Sequence, residues 1–193
     1  MKMLICIVGG SGSGKSSLEE EIIIHDNFSK AISTTTRAKR DGEHDGREYY
    51  FVDTDEFKKL DTNNELLENV TFAGNQYGLS KAEFFKNDDH LVFVVGPNGL
   101  EQILNYIEIN NNLNINPLVI FMNITEKERF KNMIKRGDNP IAIQERLKVE
   151  TIVSDFETLD FKPHIKVSKL TDTTSEVVMK DIYKYIKLLK KRN

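Results

Sequence analysis

Residues 9–16 of this chain read GGSGSGKS, and they follow directly on the apolar run LICIV at residues 4–8. A continuous apolar run of this length is typical of a strand that is buried on both faces, as in a parallel sheet. Residues 15–24 read as a helix, so the glycine-rich segment lies between a strand and a helix. Its spacing matches the pattern G-x-x-x-x-G-K-[ST], which is typical of a loop that binds a nucleoside triphosphate. The residues at the fixed positions are Gly9, Gly14, Lys15 and Ser16.

Each part of this loop has its own chemical role in the prediction. The glycines allow the backbone to curl so that its N–H groups point at phosphate oxygens. Lys15 places a cation at the β- and γ-phosphates, and the Ser16 hydroxyl can ligate Mg²⁺. The following helix adds the positive end of its dipole. The residues predicted to bind ATP are Gly9, Gly10, Ser11, Gly12, Ser13, Gly14, Lys15, Ser16 and Ser17, with Ser16 as the predicted metal ligand.

The composition limits the classes of function. The chain has 193 residues, which suits one compact domain with small insertions. Its formal net charge of −3 does not favour a broad nucleic-acid surface. Cys6 is the one cysteine, which excludes an internal disulfide and favours a reducing compartment. No apolar stretch is long enough to span a bilayer, so a cytoplasmic protein without membrane contact is expected.

Buried-strand patterns return at residues 91–95 and 118–122, and a last short strand is expected at residues 165–167. Helical patterns lie between them. Strands that alternate with helices predict βαβ units and a mainly parallel sheet. Residues 34–87 interrupt this alternation and read as a small inserted subdomain. The polar stretch at its start, residues 33–47, is expected to be irregular.

Helix starts are marked by a capping residue that is followed three positions later by glutamate. The four predicted N-caps of this kind are Asp53, Ser80, Thr125 and Thr173. A break at residues 137–140 separates two further helical patterns, and the second is expected to run over residues 141–156.

A second informative stretch, residues 33–52, reads STTTRAKRDGEHDGREYYFV. Arg37 and Arg40 lie three positions apart in it, and guanidinium groups suit phosphate oxygens. Tyr49 can donate a further hydrogen bond. On this pattern alone, the stretch is either an anion-binding site or a solvated charged face.

The same stretch resembles the acceptor-binding region of guanylate kinases, whose pattern is close to S-x-T-T-R-x-x-R-x-G-E-x-x-G-x-x-Y-x-F-V, and it matches at every fixed position. Residues 74–78 read GNQYG, which is similar to the family's G-N-x-Y-G, and Glu68 lies where the family has a glutamate just upstream. Residues 136–137 (RG) and 146–147 (RL) resemble the arginine positions that flank the family's lid. The resemblance covers about residues 3–150, with the motifs in the family's order.

The resemblance implies the three-layer α/β/α fold of P-loop nucleoside monophosphate kinases, with a mainly parallel five-stranded core sheet. It implies a single guanylate-kinase-like domain over residues 1–193. Residues 1–33 and 88–193 would form its core. Residues 34–87 would be the insertion that holds the monophosphate, and residues 136–146 a short lid.

The resemblance also implies roles for individual residues. Those that would bind the acceptor phosphate are Arg37, Arg40, Tyr49 and Tyr77. Ser33 and Glu68 would face the base, since a carboxylate can accept hydrogen bonds from guanine N1–H and N2–H₂, a donor pair that adenine lacks. The residues with an implied catalytic role are Lys15, Arg37, Arg136 and Arg146, which would neutralise charge around the transferring phosphoryl group.

Two departures from the family pattern concern the base. The family has a serine or threonine after G-N-x-Y-G, but this chain has Leu79, which cannot hydrogen-bond a base. That contact is either lost or moved to Ser80, which is included among the predicted acceptor-binding residues. The family has D-x-D-x-x-G after the strand at residues 91–95, whereas residues 94–99 read VVGPNG. Both aspartates are absent, so the base and sugar preference and the acidic partner of Mg²⁺ stay open.

The implied function is ATP-dependent phosphorylation of a nucleoside monophosphate, with GMP or dGMP favoured. One alternative is a kinase of the same fold that acts on a modified or other nucleoside monophosphate, or on a ribose phosphate. Another is a non-catalytic guanylate-kinase-like binding module, which is disfavoured because such modules typically lose the phosphate loop. A regulatory GTPase is disfavoured because no N-K-x-D motif appears. The expected partners are the two nucleotides, and the oligomeric state is open, a homodimer included.

Overall fold

A computed structural model of the protein describes residues 2–25, 28–86, 90–150, 156–159 and 161–191. Its strands are β1 (Lys2–Gly9), β2 (Phe28–Lys30), β3 (Thr34–Thr35), β4 (Tyr50–Phe51), β5 (Leu66–Phe72), β6 (Asn75–Ser80), β7 (His90–Val94), β8 (Ile115–Met122) and β9 (Ile165–Val167). Its α-helices are α1 (Lys15–Ile23), α2 (Thr54–Thr62), α3 (Lys81–Phe85), α4 (Pro97–Ile109), α5 (Glu126–Lys135), α6 (Pro140–Val149) and α7 (Thr174–Lys190). A short 3₁₀ helix is formed by Asn111–Leu113.

The central sheet has the strand order β2-β7-β1-β8-β9, and each neighbouring pair is parallel. β1 lies in the middle, with Leu4 opposite Leu91 of β7 and Ile5 opposite Leu118 of β8. Residues 3–8 of β1 are fully buried, which explains why their sequence is continuously apolar. The predicted mainly parallel core sheet of five strands is confirmed.

Alternate residues of β1 point to opposite faces of this sheet. Met3 and Ile5 pack with apolar residues of α1 and α7 on one face. Leu4 and Cys6 pack with apolar residues of α4 on the other. Two apolar cores, one on each face, thus produce the predicted three-layer α/β/α arrangement. Burial raises the pKa of the Cys6 thiol, so this residue behaves as a small apolar side chain.

A second sheet, with the order β4-β3-β6-β5, is built from the segment between β2 and β7. β6 pairs antiparallel with both β3 and β5. The short strand β3 lies in the stretch that was expected to be irregular, and its pairing with β4 and β6 explains it. β6 has little apolar content, and it forms because Ala73 and Gly74, both with positive φ, reverse the chain after β5.

Three of the four predicted N-caps are confirmed. Asp53 forms a reciprocal capping box with Glu56 at the start of α2. Ser80 and Thr125 each accept a hydrogen bond from the N–H three residues on, at the starts of α3 and α5. At α7 the prediction is wrong in detail, because Thr173 makes no side-chain cap. There the Thr171 N–H donates to Thr174 Oγ1 at 2.7 Å instead.

The helix that was expected over residues 141–156 is shorter. α6 begins at Pro140, after Asn139 has capped the N–H groups of Ile141 and Ala142, and it ends at Val149. Glu150 already has extended backbone angles, with φ −86° and ψ 111°. Residues 151–155 of the expected helix lie outside the described residues. Within the described ranges, none of the helices has the length and apolar character to cross a bilayer.

Candidate active site

A cavity of about 640 Å³ opens where β1 and β7 end, between the central sheet and the second sheet. It brings together most of the residues that the sequence singled out. The predicted site residues that line it are Gly9, Ser11, Gly12, Ser13, Gly14, Lys15, Ser16, Ser17, Ser33, Arg37, Arg40, Tyr49, Glu68, Tyr77, Arg136 and Arg146. Gly10 and Ser80 are not part of the lining. Residues that lie far apart in the chain thus surround one space.

The glycine loop joins β1 to α1 and takes the tight path that the motif requires. Gly12 and Gly14 have φ values of 76° and 87°, a left-handed conformation that glycine adopts at little cost. Gly14 is the N-cap of α1. The loop therefore ends at the amino end of a helix, where backbone N–H groups are free for an anion.

Lys15 turns back over this loop, and its Nζ donates to the carbonyl oxygen of Gly10 at 2.8 Å. Burial lowers the pKa of Lys15 to about 8, with Glu150 opposing the shift and Arg129 adding to it. The Lys15 side chain is half-buried, and its ammonium group forms no ion pair with a carboxylate among the described residues. Phosphate oxygens would supply both charge and hydrogen-bond acceptors at that place.

Gly10 differs from the rest of the loop because it is not part of the cavity lining, and its contact with ATP stays a prediction. A Cβ at this position would lie 2.0 Å from Arg129 Nη1 and 2.8 Å from Glu150 Oε2. Gly10 thus faces the side of the loop away from the cavity, where two charged side chains leave no room for a larger residue.

The donor set for Mg²⁺ is small. Ser16 lines the cavity with its hydroxyl, and Glu68 is the one acidic residue among the described lining residues. Among the residues that the structure describes, no cluster of three or more His, Cys, Asp or Glu side chains could hold a metal ion. Mg²⁺ in phosphate sites takes most of its ligands from substrate oxygens and water, so one protein hydroxyl fits this ion.

The half of the cavity that was expected to bind the acceptor, here called the acceptor half, contains an arginine that the protein itself holds in one orientation. Arg37 Nη1 donates to Glu43 Oε2 at 3.0 Å, and Nη2 donates to Glu43 Oε1 at 2.8 Å. The guanidinium carbon lies 5.4 Å from the ring centroid of Tyr49 and 5.6 Å from that of Phe51. Glu43 also accepts from the Arg40 N–H at 2.8 Å. Glu43 therefore positions both arginines, a role that the fixed glutamate of the sequence pattern did not reveal.

Further cations and phenols surround this arginine. Burial lowers the pKa of Arg40, and the charges of Arg37 and Arg146 add to that effect. Burial also raises the pKa of Tyr49 to about 12, and Tyr77, whose ring centroid is 5.9 Å away, contributes. Tyr49 thus stays a protonated hydrogen-bond donor. Such a group of crowded cations and neutral donors is suited to a phosphate dianion.

Arg136 and Arg146, which were expected to flank a lid, reach the same cavity from the ends of α5 and α6. Arg136 Nε donates to Asp138 Oδ1 at 3.0 Å, and its Nη2 forms an ion pair with Oδ2 of that carboxylate. The Arg136 side chain is about half exposed, at 52%. Asp138 therefore holds Arg136 by a surface ion pair, a type of contact that contributes little stability and is easily exchanged.

Glu68 of β5 lies at the base of the acceptor half and is almost completely buried. Its Oε2 has no hydrogen-bond partner among the described residues. Burial raises the pKa of Glu68 to about 8, while a hydrogen bond with the backbone of Leu79 acts in the opposite direction. A Cβ at Gly99 would lie 2.7 Å from Glu68 Oε2, so glycine at this position leaves room for the carboxyl group.

The structure shows the consequences of the two departures from the family pattern. Leu79 is fully buried among core residues, and in the sheet it pairs with Glu68. Ser80 is the next residue, so it points to the opposite face of the strand, and its Oγ accepts from the Glu83 N–H at 3.1 Å. The assignment of Ser80 to the acceptor site is therefore corrected. Val94, Gly96 and Asn98 line the cavity without a carboxylate.

A second cavity of about 520 Å³ lies next to the phosphate loop. It shares Gly12, Gly14 and Arg136 with the first cavity. Met122 and Leu170 supply apolar surface, and hydroxyl groups come from the start of α7. A cavity that continues from the loop in this way extends the site on the side opposite the acceptor half.

Comparisons with known proteins agree with this arrangement. The sequence model of the family described as guanylate kinase matches residues 1–182. The chain is 35% identical over 156 residues to a guanylate kinase of Thermobifida fusca, covering 78% of this chain and 76% of that protein. It is 28% identical over 190 residues to a guanylate kinase of Mycoplasmoides gallisepticum, covering 95% and 93%.

A solved structure has the same fold. The crystal structure of guanylate kinase from Anaplasma phagocytophilum superposes with a TM-score of 0.60 at 21% sequence identity, over 97% of this chain and 85% of that one. At this identity the superposition concerns the fold alone. The family model and the relative in Thermobifida fusca carry the assignment further, and this chain belongs to the guanylate kinase family.

Proposed function

We propose that this protein transfers the γ-phosphoryl group of ATP to GMP or dGMP, with release of ADP and the corresponding nucleoside diphosphate. The observation that carries the proposal is the single cavity that joins the phosphate loop to the Arg37–Tyr49 cluster and Glu68. Two anionic nucleotides can meet in it only if cations lie between them. Lys15, Arg136 and Arg146 line this cavity and would supply those cations. Phosphoryl transfer depends mainly on such alignment and charge neutralisation.

On this proposal, ATP is the donor and occupies the loop side. The backbone N–H groups that the loop leaves free, together with the Lys15 ammonium group, would bind its phosphates, and the second cavity would take its base. The Ser16 hydroxyl would hold Mg²⁺, which bridges phosphate oxygens and neutralises their charge when it is bound. Lys15 would gain an anionic partner from the β- and γ-phosphates.

The acceptor would occupy the other half of the cavity. Arg37, Arg40, Tyr49 and Tyr77 would bind its phosphate. The buried Glu68, with Ser33 nearby in the lining, would face the base. In its ionised form Glu68 can accept from guanine N1–H and N2–H₂, and its free Oε2 has no competing partner within the described residues.

The same proposal assigns the parts of the chain. Residues 1–33 and 88–193 would form the core, residues 34–87 the acceptor-binding insertion, and residues 136–146 the lid. Closure of the lid would move Arg136 and Arg146 onto the transferring group and exclude water as a competing acceptor. The reaction would take place in the cytoplasm, as the single buried cysteine favours a reducing compartment.

One observation favours a second candidate, a kinase for another nucleoside monophosphate. Leu79 lies in the core and Val94 and Gly96 carry no polar side chain, so Glu68 is left with few partners for reading the base. A neutral Glu68 both donates and accepts, which would match a base with an adjacent donor and acceptor, such as adenine.

An ADP-release assay with ATP and Mg²⁺ separates these candidates. GMP, dGMP, AMP, dAMP, UMP and dTMP are compared as acceptors, and the Lys15→Ala variant serves as the inactive control. GMP and dGMP are expected to give the highest kcat/KM. If AMP or dTMP exceeds GMP, the guanine assignment fails and the second candidate holds. If no monophosphate stimulates ADP release above the Lys15→Ala background, the kinase assignment fails.

A further inference from the structure

A buried ion pair between Arg129 and Glu150 contacts the phosphate loop. Glu150, just after α6, accepts a hydrogen bond from the Ser11 N–H to its Oε1 at 2.8 Å. Its Oε2 forms an ion pair with Nη1 of Arg129 in α5. That Nη1 also donates to the carbonyl oxygen of Ser11 at 3.3 Å. The Arg129 side chain is 7% exposed and the Glu150 side chain 1%. Buried charged groups therefore hold both the N–H and the C=O of Ser11.

Neighbouring residues of the loop are packed against the same pair. A Cβ at Gly10 would collide with both side chains, and one at Gly12 would lie 2.5 Å from the Arg129 carbonyl oxygen. Asn132, one turn beyond Arg129, donates from Nδ2 to the Gly12 carbonyl oxygen at 2.8 Å. Contact with α5 and Glu150 therefore favours glycine at both positions, and the positive φ of Gly12 adds a conformational reason there.

The ion pair also lies at the base of the proposed lid. α5 carries Arg129 and leads into Arg136 about two helical turns later, and α6 carries Arg146 about one turn before Glu150. Because a helix transmits position along its axis, fixing Arg129 and Glu150 to Ser11 also sets where the two lid arginines stand relative to the loop.

Burying two charges is expensive, and such pairs are often neutral or unfavourable for stability compared with apolar side chains. Burial alone would raise the pKa of Glu150, but hydrogen bonds from Ser11 and Arg129 outweigh it and hold that pKa below its usual value. Glu150 therefore stays ionised at this place. A costly pair whose hydrogen bonds end on the phosphate loop points to a role in arranging the loop.

We propose that Arg129 and Glu150 are positioning residues, which hold the phosphate loop in its binding shape and fix the lid arginines relative to it. This inference rests on the proposed assignment of the loop to ATP. Neither residue is assigned a contact with a nucleotide, so both act through Ser11, Gly12 and the two helices.

The test compares Glu150→Gln, Glu150→Ala and Arg129→Met with a matched control, Glu126→Gln, which neutralises an exposed carboxylate on α5. KM is measured for ATP at saturating GMP and for GMP at saturating ATP. Because small misplacements at a reacting centre cost up to about 100-fold, Glu150→Ala and Arg129→Met are expected to raise the KM for ATP about tenfold and to lower kcat about 10–100-fold. The KM for GMP should change less than about twofold, like all parameters of the control.

Glu150→Gln gives a graded result, because its amide oxygen can still accept from the Ser11 N–H while the charge is lost. The KM for ATP and the kcat of Glu150→Gln should lie between those of the wild type and those of Glu150→Ala. Equal increases in the KM for ATP and for GMP would contradict the proposal, and so would variants that only unfold more easily while their folded fraction keeps the wild-type KM for ATP.

A double variant, Arg129→Met with Glu150→Met, keeps the test valid if the single variants fold poorly. Replacing both charges removes the unpaired buried ion, so thermal stability should return to near the wild-type value. The KM for ATP should stay raised, since the Ser11 contacts are absent. If it returns to the wild-type value together with stability, the pair is merely structural and the proposal is wrong.

Binding of the non-hydrolysable analogue adenylyl imidodiphosphate, measured by calorimetry, separates this proposal from the proposed function. About tenfold weaker binding to the double variant would support the positioning role even if GMP proved to be the wrong acceptor. Unchanged binding, with an active wild-type enzyme, would overturn the positioning role and leave the kinase assignment intact.

Discussion

Arg37 and Glu43 face each other through two parallel hydrogen bonds, 3.0 Å and 2.8 Å long. This bidentate geometry fixes the plane of the guanidinium group. Two aromatic rings cover the group as well. An incoming phosphate therefore meets an arginine whose side-chain entropy has already been lost, which favours binding.

The first prediction concerns this orientation. Glu43→Gln keeps the size of the side chain but removes the charge and one acceptor oxygen. We expect the KM for GMP to rise about 3–10-fold, since a charged hydrogen bond of about 1.5–3 kcal/mol is only partly retained. The KM for ATP should stay within about twofold. Asp41→Asn, at an exposed acid in the same loop, is the control, and an unchanged KM for GMP in Glu43→Gln would refute the positioning role of Glu43.

A second prediction is that Glu68 lowers the stability of the fold but is needed to bind GMP. At pH 7 its buried carboxyl group is mostly neutral, whereas in the unfolded chain it is ionised, so folding pays for taking up a proton. Glu68→Gln removes that cost, and we expect Tm to rise by a few degrees, for a net gain of about 1–2 kcal/mol after the burial of an amide. The KM for GMP should rise about 100-fold, because the amide donates toward guanine's own donors.

Thermal unfolding and steady-state kinetics of the same preparation check this second prediction. Glu65→Gln, an exposed acid at the start of the same hairpin, should leave both Tm and KM near the wild-type values. A Glu68→Gln variant that loses stability together with affinity would show that the carboxyl group supports the fold, which is the opposite of the expected result.

The third prediction is a pH dependence with a defined sign. The folded pKa of Glu68, about 8, lies above the unfolded value, so the stability that this group contributes is complete at low pH and is lost as pH rises through about 8. Guanine binding needs the ionised form, so the affinity for GMP should increase as pH rises. The KM for GMP should fall about tenfold per unit from pH 6 to 8 and then level off. In Glu68→Gln this slope should vanish, and a wild-type KM that is flat over this range would exclude a raised pKa.

The fourth prediction tests where Leu79 and Ser80 point. Leu79→Thr, which restores the family's residue type, should destabilise the protein by about 1–3 kcal/mol, because it buries a hydroxyl group and removes packing from the core. The KM for GMP should not improve, since the side chain lies in the core. A marked decrease in that KM would place position 79 in the base site after all.

Ser80→Ala complements the substitution at Leu79. It removes the N-cap of α3 at a cost of about 1 kcal/mol and should leave the KM for GMP within about twofold of the wild-type value. A larger increase in that KM would return Ser80 to the acceptor site.

Much of the fold follows from local sequence. The apolar run at residues 4–8 predicts a doubly buried parallel strand, and the glycines at 9, 12 and 14 predict a loop whose backbone no other residue would adopt easily. The N-caps at Asp53, Ser80 and Thr125 are similarly local, since each bond spans three residues. The sequence pattern did not predict strand β6, because pairing with its neighbouring strands stabilises it and its own apolar content is low.

The candidate site divides along the same line. Residue types and spacing were enough to predict the phosphate loop, because it is a short segment with a fixed backbone requirement. The role of the arginine stretch around Arg37 rested on the resemblance to the guanylate kinase family. Residue types and spacing could not predict that Leu79 enters the core. That depends on the β5–β6 register, which shifts at an irregularity between Leu66 and Glu68. A change of register by one residue reverses every side chain on a strand.

Glu150 shows most clearly what the chain's local patterns leave out. Its carboxylate binds the amide of Ser11, 139 positions away, and pairs with Arg129 from a different helix. No periodicity or motif connects these residues, because their contact exists only once α5 and α6 have packed beside β1 and its loop. Short-range sequence therefore predicted which loop binds phosphate, whereas only the packing of distant helices brought together the residues that contact that loop.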